Sequence, residues 1–150
     1  MSEDFYTARG YQIIAQTNHA LSASLEDYLE MIYRKIDDCG HIRVNEIASN
    51  LHVKPSSVSK MLSKLLMQNL INYEKYGVIS LTRNGEELGK YLLWRHNTIT
   101  SFFEMLLGNG NSQAFKEAEL TEHILSVETV KKLEWLVNNF GNDINERLRK

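Results

Sequence analysis

Apolar positions recur along this chain at spacings of three and four, interrupted once by two short β-prone runs. Leu25, Leu29, Ile32 and Ile36 set out the first clear helical stripe, with Ser24-x-x-Asp27 as a capping signal at its start and Gly40 as its stop. Ile47, Ala48 and Leu51 share one face of a short second helix over 44–51, and Leu51-His-Val-Lys follows as a tight turn. Pro55 opens a third helix running to about Gln68, at the position where a missing amide hydrogen costs nothing. Val58, Met61, Leu62, Leu65 and Leu66 form its apolar face; Ser56, Ser57, Ser59, Lys60, Ser63 and Lys64 form the other. Ile71 to Lys75 and Val78 to Leu81 flank Tyr76-Gly77 and predict a hairpin. Thr82 then caps a long helix over about 83–107, in which Leu88, Tyr91, Leu92, Ile99, Phe102, Phe103 and Leu106 recur at helical spacing before Gly108-Asn-Gly-Asn stops it. Two further helices are predicted over about 112–124 and 127–140, the last ending at Gly141.

This order predicts a mainly α fold, an N-terminal winged helix-turn-helix followed by an all-helical domain. The expected divisions are an N-terminal extension over 1–23, an arm or short helix of no readable role; the winged helix over 24–82; and a helical domain over 83–150.

Composition narrows the class. With 150 residues and 43% hydrophobic content the chain can bury a core, and one proline and eight glycines exclude collagen-like or low-complexity sequence. Cys39 is the single cysteine, which excludes an internal disulfide framework and a cysteine zinc cage and suggests a reducing compartment. No apolar run approaches the roughly 18 to 20 residues needed to span a bilayer, and the first 23 residues lack the pattern of a secretory signal, so no membrane partner and a cytoplasmic location are expected. The net charge of -2 hides an asymmetry: residues 41–95 carry 8 lysines and arginines against 4 acids, whereas the flanking segments are acidic. A basic middle inside an acidic protein suggests a surface for a polyanion.

Reading DNA through a winged helix requires a helix with short side chains that approach base edges, flanked by cations for the phosphates. Pro55, Ser56, Ser57, Ser59 and Lys60 supply such a face, and Lys54, Lys64 and the wing residues Lys75 and Tyr76 are candidates to hold the backbone. A solvated serine-rich face is the plainer alternative, but its place after a short helix and turn and before a hairpin favours DNA. His41 and His52 are expected at the surface or in structural roles.

A second constellation is acidic. Asp27 and Glu30 stand three residues apart on the first helix, off its apolar stripe, and Glu119, Glu122 and His123 show the spacing i, i+3, i+4 on another, with His96 on the long helix between. Carboxylates and imidazoles so spaced are donors for divalent ions, and four carboxylates balance two such cations. Surface acids and satisfied interhelical histidines would show the same spacing, which leaves open whether the six residues converge.

The chain resembles the diphtheria toxin repressor family of metal-dependent transcription regulators, in its manganese-responsive branch. The likeness runs from about Leu25 to Phe140 and is carried by Leu25-Glu-Asp-Tyr-Leu-Glu-Met-Ile-Tyr, Pro55-Ser-Ser-Val-Ser-Lys-Met, Leu70-Ile-Asn-Tyr-Glu-Lys-Tyr, Leu81-Thr-x-x-Gly, Arg95-His and Glu119-Leu-Thr-Glu-His-Ile-Leu-Ser. By this resemblance Asp27, Glu30, His96, Glu119, Glu122 and His123 would build a binuclear site between the winged helix and the dimerisation domain. Asp27, Glu30, His96, Glu119 and Glu122 would centre on one ion, and Glu119, Glu122 and His123, with Glu30 nearby, on the other. Iron-responsive members carry sulfur ligands where this chain has Asp27 and Glu119, so the resemblance implies two Mn(II) per chain, with Fe(II), Co(II), Zn(II) or Cd(II) as possible substitutes. It also implies that 83–150 is an all-helical metal-binding and dimerisation domain, and that the chain is a homodimer on palindromic double-stranded operator DNA, repressing metal-uptake genes; as a departure from longer members, their SH3-like third domain is expected to be absent. Two competitors are a metal-independent winged-helix regulator answering to a small organic ligand and a two-metal hydrolase. The second is disfavoured, because no separate nucleophile or substrate loop is evident and the basic helix would go unexplained.

Overall fold

A computed structural model of the chain describes residues 21–73 and 77–148. Two units divide between Leu93 and Trp94. The first opens with α1 (Ala23–Cys39), whose N-cap is Ser22: the Ser22 hydroxyl accepts from the Leu25 amide at 3.3 Å. The cap expected at Ser24 lies two residues earlier, because Ser22 is the residue in extended conformation and Ser24 already sits in the first helical turn. Gly40 closes α1 at φ 79°, the left-handed geometry that favours glycine, and its amide donates to Ile36 O at 2.7 Å.

Next come β1 (Ile42–Arg43), α2 (Val44–Leu51), α3 (Pro55–Met67), β2 (Ile71–Tyr73) and β3 (Val78–Leu81). The strands form one antiparallel sheet in the order β1-β3-β2, with Ile42 opposite Ile79 and Tyr73 also opposite Ile79 from the other side. β1 was not legible in the sequence, since two residues carry no period. The β2–β3 pair is the wing; its predicted tip, including Lys75 and Tyr76, lies outside the described residues. α2 ends at His52 with φ 53°, after which the Val53 amide reaches back to Ala48 O at 3.0 Å, and this tight turn aims α3 away from α2.

One core holds these elements together. Leu29, Ile32, Ile47, Val58, Leu62, Leu65, Ile71 and Ile79 are all at most 1% exposed, and each contributes roughly 1.5–3 kcal/mol by leaving water. Thr82 ties wing to helix: its hydroxyl donates to Asn69 O at 2.7 Å and accepts from the Gly85 amide at 3.0 Å, which caps α4 (Arg83–Leu107). Gly85 can lie where it does only without a side chain, because a Cβ there would stand 1.8 Å from Leu70 O.

The second unit takes the remainder of α4 from Trp94, then α5 (Ser112–Thr121) and α6 (Val127–Leu148). Gly108 at φ 103° ends α4, and Asn111 caps α5 by accepting from the Gln113 amide at 2.8 Å. Ile99, Ala118 and Val130 meet at the centre, flanked by Trp94, Phe103, Leu125 and Leu133, and the Trp94 indole donates to Glu134 Oε1 at 2.7 Å. α6 does not stop at Gly141 as the sequence suggested: Gly141 keeps a helical backbone, and Arg147 pairs with Asp143 one turn back at 3.2 Å, so the polar tail continues the helix. Among the described residues, no helix is long and apolar enough to cross a membrane.

Candidate metal centre and DNA-reading surface

The second unit gathers His96, Glu119, Glu122 and His123. His96 projects from α4, Glu119 from the last turn of α5, and Glu122 and His123 from the turn that follows it. The helix stops at Thr121 rather than the expected 124, yet Glu122 keeps right-handed helical angles (φ -60°, ψ -32°) and its amide donates to Ala118 O at 3.0 Å. The i, i+3 relation of Glu119 and Glu122 thus survives the helix end.

Glu122 lies at the centre of this cluster, with a side chain only 2% exposed. One of its oxygens, Oε2, accepts from His96 Nδ1 at 2.8 Å, and the other, Oε1, faces His123 Nε2 at 3.6 Å. Glu119 Oε1 stands 3.5 Å from the same His96 Nδ1 and is the solvent-facing member. Burying a carboxylate is costly unless opposite charge or strong hydrogen bonds meet it, and here two imidazoles stand against the Glu122 oxygens. Arg95 Nη2 is 3.2 Å from His123 Nδ1. Its involvement was missed in the sequence, because one arginine beside a histidine on a long helix has no spacing signal.

Two carboxylates and two imidazoles, one carboxylate presenting an oxygen to each ring, suit a hard to borderline divalent cation. Neither sulfur nor an alternative nucleophile lies in this set.

In the first unit, Asp27 and Glu30 occupy successive turns of α1, partly and largely buried, and Glu30 is hydrogen-bonded to Arg34. The candidate reading surface is α3. Lys54 is its N-cap and Pro55 its first residue; Ser56, Ser57, Ser59, Lys60 and Lys64 are exposed while Val58, Leu62 and Leu65 are buried. The hydroxyl of Ser59 donates to Pro55 O at 3.1 Å and that of Ser63 to Ser59 O at 2.9 Å, which leaves the hydroxyl oxygens as outward acceptors. His41 is exposed.

Two family models match this chain: the iron dependent repressor N-terminal DNA binding domain over residues 20–79, and the iron dependent repressor metal binding and dimerisation domain over 82–147. Among solved structures, the manganese regulator SloR is 32% identical, with a TM-score of 0.67 over 76% of this chain and 53% of that one. ScaR with bound Zn2+ is 33% identical, with a TM-score of 0.63 over the same shares. A hypothetical protein from Sulfolobus solfataricus is 28% identical, with a TM-score of 0.58 over 81% of this chain and 91% of that one. The chain spans about half the length of the two regulators.

Proposed function

This chain belongs to the diphtheria toxin repressor family of metal-dependent regulators, and we propose from that premise that it is a manganese-responsive repressor of metal-uptake genes, acting in the cytoplasm as a homodimer on palindromic operator DNA. The observation that carries the metal half of this reading is Glu122, a buried carboxylate whose two oxygens serve two different histidines. A protein without a cation to bind gains little from burying such a group; one that binds two adjacent ions needs a carboxylate able to face both. Likeness to a manganese regulator and to a regulator crystallised with Zn2+ supports a divalent ion of this size and charge.

His96, Glu119, Glu122 and His123 would hold the ions, and Asp27 and Glu30 on α1 would complete the set. The ions would supply positive charge that lets these carboxylates share one site, and nothing in the residues' own chemistry asks for more. Oxygen and imidazole donors accept Mn(II) without the extra gain that sulfur would give iron, cobalt or nickel, so selectivity would rest on geometry and ion number.

The chain's own residues do the reading. Lys54, Lys60 and Lys64 meet phosphates along α3, and Ser56, Ser57 and Ser59 are short enough to reach base edges. Lys75 and Tyr76 on the wing would add contacts to the backbone. Two such heads must match half-sites about one helical turn or a multiple apart, so restraining them removes an entropic cost from binding. A coupling on the order of 1–3 kcal/mol corresponds to roughly 5- to 150-fold tighter DNA binding.

The test is a manganese titration of metal-stripped protein, with free Mn(II) followed by electron paramagnetic resonance. About two ions per chain are expected, and Glu122→Gln is expected to weaken uptake of both, because Glu122 would serve as a ligand in the whole cluster. No uptake at micromolar manganese would sink the manganese assignment; operator binding unaffected by chelation would instead favour a regulator that answers to an organic ligand.

A further inference from the structure

Arg95 precedes His96 on α4, is 4% exposed, and brings Nη2 to 3.2 Å from His123 Nδ1. A guanidinium carries five N–H donors and no acceptor. His123 Nδ1 must therefore offer its electron pair, and the ring's proton sits on Nε2, the atom that faces Glu122 Oε1 at 3.6 Å. We propose that Arg95 is a built-in competitor for the cation at His123: it occupies the electron pair that a ligand must give, and so makes the His123 position the last to fill.

The argument rests on the metal reading of this cluster and adds an order to it. One electron pair on Nδ1 serves either an arginine N–H or a cation. Ligation through Nε2 would not avoid the conflict, since the ring proton would then move to Nδ1 and point a donor at a donor. By either route the Arg95 guanidinium has to give up its contact with Nδ1. The His96 position is different. Its Nδ1 faces carboxylate oxygens of Glu122 and Glu119, at 2.8 and 3.5 Å, so filling it relieves repulsion between those acids without expelling a cation. Arg95 thus acts as a positioning residue that sets the metal concentration at which the second ion binds.

Manganese titrations of the full chain, followed by electron paramagnetic resonance, compare the wild type with Arg95→Gln and Arg95→Lys. The wild type should bind two ions in unequal steps. Arg95→Gln should tighten the weaker step about tenfold, equivalent to ~1.4 kcal/mol, and move the tighter step less; Arg95→Lys, which keeps the charge, should stay near the wild type. An unchanged or weakened second step in Arg95→Gln, with two ions still bound by the wild type, overturns the competitor role and leaves the metal reading standing. No uptake by the wild type removes both. A further arm needs no variant: the 15N shifts of the His123 ring in metal-free protein should show Nδ1 unprotonated, and a protonated Nδ1 overturns the proposal.

Discussion

Gly85 and Gly89 show how much of this fold turns on a missing side chain. A Cβ at Gly85 would meet Leu70 O at 1.8 Å, and one at Gly89 would meet Tyr33 Cβ at 2.6 Å, in both cases with atoms that cannot swing aside. Gly85→Ala should therefore destabilise the first unit by on the order of 3 kcal/mol, at the upper end for a point change, measured as a fall in the urea midpoint. Tyr33 itself makes a prediction about pH. Burial, then the charges of Asp37 and Glu86, hold its phenol above the usual value of 10.0. A group whose folded pKa is raised contributes stability below its unfolded pKa and loses it as pH rises through the folded one. The urea midpoint should thus fall as pH rises above the usual phenol value of 10.0, and Tyr33→Phe should reduce the part of the fall that this phenol causes. An identical fall in Tyr33→Phe would assign the loss to other groups.

At the scale of elements, α3 carries the DNA argument, and its burial pattern separates the two faces: Val58, Leu62 and Leu65 inward, Lys60 and Lys64 outward. Lys60→Ala should weaken operator binding and reduce the slope of log K against log salt by about 0.9, the value for one phosphate contact on B-DNA. Fluorescence anisotropy at several salt concentrations reads both. A weakened affinity with an unchanged slope would move Lys60 from phosphate to base. Elements of this kind were legible because their signals are local: Pro55 at a helix start, Thr82 at a cap, an apolar stripe every three or four residues. What escaped was what depends on distant partners. β1 is a strand only because Ile42 finds Ile79; α6 passes Gly141 for another reason, since a lone glycine weakens a helix without ending it. The site follows the same rule. Glu119, Glu122 and His123 announced themselves by spacing on one helix, whereas Arg95 acquires meaning only through the ring of His123 across the unit.

For the molecule as a whole, the second unit exposes several large apolar side chains. Leu120 and Ile124 are 77% and 79% exposed, Trp135 and Phe140 are exposed and stack edge to face at 5.3 Å, and all four belong to the second unit. Leu120 and Ile124 stand next in sequence to the candidate ligands Glu119 and His123. The family's domain is one of dimerisation as well as metal binding, and a second copy satisfies both facts: two-fold symmetry would bury each residue twice. Leu120→Ser with Ile124→Ser removes apolar surface without adding charge beside the carboxylates. Four side chains lost from a symmetric interface, each contributing about 1 kcal/mol or more when buried, predict at least about a hundredfold weaker dimerisation by sedimentation equilibrium. Mn(II) uptake per chain should persist in the monomer if each site is built from one chain, and operator affinity should fall to that of a single head. An unchanged dimer would place the interface elsewhere on this unit, with Trp135 and Phe140 as its next candidates.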